Sequence, residues 1–349
     1  MRRVTLNDVA QAAGLSLSAV SQALRGRKNI PAATQVKVRE VAARLGYLPD
    51  PLLSALAARR HSRSSSSGAN LAVVSVSESE REWAAHWASK GLLEGLQRRA
   101  AELGFALDYF KIGLDPADHV RLKGIFRARG IAGFILHPYP HLTDQLRLPW
   151  EELPPGVSLY GQPFGAPIPC VVSNHAQLMQ LCCETAVRRG YRRLGLVLPR
   201  EVADLTRRTW IGSFLAWTSV TTLEQVLLVK SDSLDPQEQS PEFDRTVMRW
   251  LEKAQPDAIL YCSGPRLPAT LKRNGVRCPE DLALCDLDLI DTSSGMTGID
   301  QNRAMVAGAA LDLLHGMIAT QRQVLAYSSQ SLQIESIWHE GKTMPTKSP

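Results

Sequence analysis

"TLNDVAQAAGLSLSAVSQALRG", residues 5 to 26, carries two short apolar periods separated by the turn "GLS". Leu6, Val9, Ala10 and Ala13 recur at helical spacing, and Thr5 with Asp8 three residues on forms a near relative of a capping box. Gly14 can take the positive φ that ends such a helix, and Ser16 can cap a second one whose inward positions are Val20, Ala23 and Leu24. Leu15 plugs the turn. Alanines at 10, 13 and 19 or 23 let two steeply crossing helices approach closely. A third period, Val38, Val41, Ala42 and Leu45, begins after Pro31 and stops at Gly46. Three helices in about forty residues, two of them joined by so short a turn, predict a small all-α helix-turn-helix head.

The second helix leaves Leu17, Ser18, Ser21, Gln22 and Arg25 on a face that no partner in the head covers. Residues 1 to 63 hold eleven lysines and arginines against three acids, a net charge of +8, while the other 286 residues net −2. A basic head on a near-neutral body suits contact with a polyanion, because neutralising phosphates releases condensed counterions.

The opening "MRRVTLNDVA" lacks the apolar run of a signal peptide, and no stretch approaches the roughly 18 apolar residues of a membrane span. The chain is therefore expected to be cytoplasmic, with no membrane partner. Its six cysteines form no CxxC pair and have no histidine at zinc spacing, so they read as small buried hydrophobes rather than metal ligands. The prolines of "HPYPH" keep His137 and His141 off a common helix face. With no nucleophile elbow, phosphate loop, HExxH or paired catalytic carboxylates, the sequence implies neither an enzyme nor a cofactor.

After "GYLPD", Leu52, Leu53 and Leu56 share one face of a short segment followed by Arg59, Arg60, Arg63 and a serine-rich run. A helix that short forms only against something else. From Leu71 the pattern alternates. "LAVVSV", "FALDYFKI", "IAGFILHP", "CVVSN", "YRRLGLVLP", "EQVLLVK", "PDAILYC" and "DLALCDLD" read as strands, separated by helical periods such as "GLLEGLQRRAAELG" and "QLMQLCCETAVRRG". Two rounds of this alternation predict parallel sheets in two lobes, with ligands at the carboxyl ends of the strands in the cleft between them.

In register, Val4, Thr5, Leu6, Asp8, Val9, Ala10, Ala13, Gly14, Ser16, Val20, Ser21, Leu24, Gly46, Tyr47, Pro49, Leu53, Leu56 and Ala57 resemble the head of the lactose-repressor/galactose-repressor (LacI/GalR) family of bacterial transcription regulators. "RRGYRRLGLVLP", "CPEDLALCDLD" and "TGIDQN" resemble its periplasmic-binding-protein-like effector domain more loosely. The resemblance implies a helix-turn-helix domain over 1–48, a hinge helix over 49–63, a linker over 64–70 and an α/β two-lobed body over 71–345. Its N-lobe would comprise about 71–170 and 301–325, its C-lobe about 171–300 and 326–345.

The implied function is a homodimeric regulator, a repressor of a pseudo-palindromic operator, with double-stranded DNA and a small-molecule effector, a sugar or related metabolite, as partners. The alternatives are a DNA-binding regulator with no effector and, further off, an enzyme fused to a DNA-binding head. The implied DNA-facing set is Thr5, Ser16, Leu17, Ser18, Ser21, Gln22, Arg25, Asn29, Thr34, Tyr47, Leu53 and Leu56. Ser16 and Ser21 suit phosphates, Leu17, Ser18 and Gln22 base edges, Arg25 a phosphate, and Leu56 a minor-groove wedge. The family commonly has arginine where Gln22 stands, so the bidentate grip on guanine is lost and adenine suits Gln22 instead.

In the body the resemblance places the effector at Arg207 or Arg208, Ser263, Asp288 and Gln301. An arginine and an aspartate facing one cavity can hold a polyol by charge-assisted hydrogen bonds. Ser263 and Gly264 replace a usual Asn-Asp and Asn174 replaces a usual Asp, which alters two polar anchors. Trp83, Trp87 and Trp210 are aromatic residues able to stack on a ligand or fill a lobe core.

Overall fold

A computed structural model describes residues 4–24, 30–47, 69–76, 90–138, 146–159, 161, 166, 168–217, 219–229, 240–262, 264–320 and 330–347. The chain divides into two compact units, Met1–Ser67 and Gly68–Pro349. The expected hinge helix over 49–63, and 64–68 of the expected linker, lie outside the described residues.

In the head, α1 (Leu6–Ala13), α2 (Leu17–Leu24) and α3 (Ala32–Leu45) form the expected three helices. The capping box is complete: the Thr5 hydroxyl accepts from the Asp8 amide at 3.3 Å, and the Asp8 carboxylate accepts from the Thr5 amide at 2.8 Å. Gly14 turns left-handed at φ 69° and closes α1 onto the Ala10 and Gln11 carbonyls. The chain re-enters helix through Ser16, whose hydroxyl accepts from the Ala19 amide at 3.2 Å. Val9, Val20 and Val38, one from each helix, are fully buried among Ala10, Ala13, Ala23, Val41 and Ala42. Burying each valine contributes about 1.5–3 kcal/mol, and the alanines let the helices meet at that distance.

The body holds two six-stranded sheets. The first comprises β1 (Asn70–Val76), β2 (Ala106–Ile112), β3 (Ile131–Pro138), β4 (Gly156–Leu159), β5 (Cys170–Ser173) and β11 (Ser331–Ile334) in the order β11-β5-β4-β3-β1-β2, all parallel. The second comprises β6 (Leu194–Pro199), β7 (Val226–Val229), β8 (Ala258–Tyr261), β9 (Ala283–Asp286), β10 (Gly298–Asp300) and β12 (Ile337–His339) in the order β12-β10-β9-β8-β6-β7, with β12 alone antiparallel.

Around the first sheet pack α4 (Lys90–Leu103), α5 (Pro116–Ala128) and α11 (Arg303–Thr320), with Leu96, Ala307, Leu311 and Leu314 fully buried. Around the second pack α6 (His175–Arg188), α7 (Arg200–Leu205), α8 (Thr209–Leu215), α9 (Pro241–Ala254) and α10 (Arg266–Arg273).

Two lobe boundaries differ from expectation. The last segment stays in the first lobe through Ile334, because β11 pairs with β5 from Ser331↔Cys170 to Ile334↔Ser173, so the C-lobe does not begin at 326. For the same reason β5 belongs to the N-lobe through Ser173. The chain therefore passes between lobes three times, at 173–175, 300–303 and 334–337. The passages are tied together. The Ser173 hydroxyl donates to the Gln301 carbonyl at 2.9 Å, the Asn174 amide to the Ile334 carbonyl at 2.7 Å, and the Ser336 amide to the Gln177 side-chain oxygen at 3.2 Å.

The C-terminal segment then straps the second sheet. The Leu284 amide donates to the Thr343 carbonyl at 2.8 Å, the Thr343 hydroxyl returns to the Leu284 carbonyl at 2.8 Å, and Met344 is fully buried. Gly341 makes this possible, since a Cβ there would lie 2.2 Å from the Met296 carbonyl carbon and 2.3 Å from the Thr297 amide nitrogen. Backbone cannot move aside cheaply, so Gly341→Ala is expected to destabilise the body by about 1–3 kcal/mol, read as a lower Tm of the full chain. An unchanged Tm would show that the strap contributes nothing to the second lobe.

Candidate functional site

Two groups of residues bear on function, one in each unit. In the head, α2 presents Leu17, which is 47% exposed, beside exposed Ser16 and Ser18. An exposed leucine is unusual at the start of a helix whose other apolar side chains are in the core. Ser21 and Gln22 are half-buried on the next turn, and the Gln22 amide nitrogen donates to the Ser18 hydroxyl at 3.3 Å. The expected base-reading positions thus form one continuous face, with two of them joined one helical turn apart. Thr5 is exposed and engaged in its cap, and Thr34 is half-buried on α3. Tyr47 packs against the head core, which gives it a structural role. Arg25, Asn29, Leu53 and Leu56 lie outside the described residues.

In the body, Asp288 and Gln301 meet. The Gln301 side-chain amide donates to Asp288 Oδ1 at 2.7 Å and to the Leu287 carbonyl at 3.2 Å. The guanidinium on Asp288, however, belongs to Arg303, whose Nη2 donates to the same carboxylate oxygen. Arg207 and Arg208, the candidates for a cleft arginine on the effector, sit exposed at the break between α7 and α8, both in the left-handed region at φ 47° and 58°, with Arg208 facing Asp204 at 3.7 Å. Ser263 lies outside the described residues, and its neighbour Gly264 takes φ 55°.

The sequence reading missed Arg303. Its signal was present: residues 303–320 are apolar nearly all round, so an arginine at the head of that helix, two residues after Gln301, is conspicuous. Asp288 reaches it because Asp286 shapes the loop, its Oδ1 accepting from the Asp288 amide at 2.9 Å. Tyr261 lies opposite Asp286 in the β8–β9 register.

Asn174 is a capping residue, its Oδ1 accepting from the Gln177 amide at 3.1 Å at the start of α6. Trp210 is core rather than a stacking surface: it is 1% exposed and its indole donates to His175 Nδ1 at 3.1 Å. Burial holds the His175 imidazole down to about 4, so it is neutral near pH 7 with its proton on Nε2. Trp83 and Trp87 lie outside the described residues. Five of the six cysteines are buried and all are free thiols. Among the described residues no helix is long and apolar enough to cross a membrane, and no three metal-binding side chains converge.

Burial pushes the Asp286 carboxyl up to about 6 from its ordinary 3.8, with the Asp288 charge adding to the effect. The fold therefore holds this proton to higher pH than the unfolded chain does. The resulting stabilisation is complete below pH 3.8 and is lost as the pH rises through about 6. A tenfold change in proton affinity corresponds to ~1.4 kcal/mol, so the cost of ionised Asp286 near neutrality is at most about 3 kcal/mol. Asp286→Asn is accordingly expected to raise the Tm near neutral pH while flattening its dependence between about pH 4 and 6. A variant that keeps the parental pH profile would place the titration elsewhere.

Comparison with known proteins matches both units. Residues 5–50 match the model of bacterial regulatory proteins of the lacI family, and residues 184–332 match that of the periplasmic binding protein-like domain. The HTH-type transcriptional regulator CelR of Thermobifida fusca is 27% identical over 308 residues, covering 82% of either chain. Among solved structures, the lac repressor dimer bound to operator and the anti-inducer ONPF superposes with a TM-score of 0.59 at 19% identity, covering 99% of this chain and 100% of that one. A CelR–cellobiose complex gives 0.58 at 20% identity, over 98% and 100%. At those identities the structural likeness is one of fold. In chain order, the head thus matches the lacI family of bacterial regulatory proteins and the body the periplasmic binding protein-like domain.

Proposed function

We propose that the chain is a homodimeric, sequence-specific DNA-binding repressor that acts in the cytoplasm, without catalytic activity, on a pseudo-palindromic operator. A small molecule held between the lobes of the body would set its operator affinity. The observation that carries the reading is the α2 face: Leu17, Ser18 and Gln22 stand outward on a helix whose opposite side, Val20 and Ala23, is fully buried. Such a helix is held rigidly while its outer side chains meet the base edges of a major groove. Leu17 suits a thymine methyl, Gln22 an adenine, and Ser16 and Ser21 flanking phosphates. A duplex bound by two such heads is read as two half-sites related by a twofold axis.

Lobe closure on a ligand would be transmitted to the head by moving the N-lobe, where the chain enters the body at β1, and so the segment before it. Leu56 in that segment is the proposed minor-groove wedge. A regulator without an effector is the second reading. It is favoured by the engagement of Asp288 and Asn174 with protein groups, which spends two of the polar anchors a sugar would use.

Gln22→Arg tests the first reading. Selected on libraries of duplex half-sites, the variant is expected to shift preference toward guanine at one position per half-site, by about 1–3 kcal/mol against the parent's choice. A variant with the parent's sequence preference would mean that α2 does not read bases. Leu56→Ala is expected to weaken operator retention in a gel shift, and parental retention would remove the wedge from the account.

A further inference from the structure

We infer that the Arg303 guanidinium, together with the Gln301 amide, forms an anion-binding site in the body that takes the carboxylate of a small organic acid, with Asp288 as its resident internal competitor. This rests on the reading of the inter-lobe cleft as a ligand site and names the ligand class.

Three observations support it. First, the site already holds a carboxylate: Asp288 Oδ1 accepts from both Gln301 and Arg303, so the position and its donors demonstrably fit that group. Second, the donors are more buried than the acceptor. Gln301 is 7% exposed, with its Nε2 also donating to the Leu287 carbonyl and its own carbonyl accepting from Ser173. The Arg303 side chain is 12% exposed, whereas that of Asp288 is 26% exposed on a loop after β9. A carboxylate from solution displaces the side chain that can move to water, and the buried guanidinium keeps a counter-charge throughout. Third, Arg303 opens an 18-residue helix, whose dipole favours an anion at that end.

A neutral polyol would have to break the same ion pair and put no charge in place of the Asp288 carboxylate. The exchange also crosses the lobes, since Asp288 follows β9 of the second sheet and Arg303 begins α11 against the first. An acid taking the place of Asp288 therefore frees one tie between lobes.

Chemical rescue in the full chain tests the inference. Asp288→Ala removes the resident carboxylate, and acetate, at ionic strength matched with chloride, is expected to raise its Tm saturably. Its apparent affinity is expected to be at least about tenfold higher than in the parent, where a tethered competitor occupies the site. Acetamide, the neutral isostere, is expected to do nothing, and Arg303→Met added to Asp288→Ala is expected to abolish the rescue. If Asp288→Ala does not fold, Asp288→Asn keeps the shape while lacking the charge and gives the same readout. No saturable rescue in either variant, or equal rescue by acetamide, would overturn the anion site. Saturable acetate binding that leaves operator retention unchanged in a gel shift would uphold the site and overturn ligand control of DNA binding instead.

Discussion

The three passages between the two sheets of the body are the constraint on which its site depends. Ser173 bonds to the Gln301 carbonyl, Asn174 to Ile334, and Ser336 to Gln177, so strands β5, β10 and β11 cross the gap as one tied bundle. Buried bonds of this kind are costly to leave unmade, which holds the crossing segments in register. Gln301 is in the middle of the bundle, and Asp288 and Arg303 take their positions from it. Movement of one lobe against the other must pass through these few residues, so the groups that would sense a ligand are also the groups that fix the hinge.

Charge is distributed between the two units in keeping with this division. The head and the segment after it carry the basic excess, and the body is close to neutral. The head needs no ligand to hold its shape: a complete capping box, a left-handed glycine and three fully buried valines specify it locally. The body is instead built from long-range pairings, and several of its groups depart from ordinary ionisation, Asp286 and His175 among them. Asp286 holds its proton to about 6, and His175 stays neutral down to about 4 against Trp210. Both result mainly from burial next to the crossing segments.

The head was legible in the sequence almost residue by residue, because caps, turn and periodicity act over three or four positions. Strands β1, β2, β3, β5, β6, β7, β8 and β9 were legible from short apolar runs alternating with helical periods. The strands β4, β10, β11 and β12 were not, being defined by their partners rather than by pattern. The unread β11 also shifted the lobe boundary, since its pairing with β5 keeps that segment in the first lobe. Asp288 and Gln301 were named through resemblance as effector positions, whereas Arg303, the arginine that pairs with Asp288, was not named at all. A side-chain contact between a loop and a helix start leaves no periodic trace, so only the lone cation at the head of an apolar helix pointed to it.

The account stands most directly on whether the chain reads DNA sequence. Selection of random duplexes by the full chain, followed by sequencing of the retained fraction, is the decisive measurement. The account predicts enrichment of an inverted repeat, with A·T pairs where Gln22 and Leu17 meet the bases of each half-site. Retention without sequence enrichment, lost steeply with added salt, would contradict it.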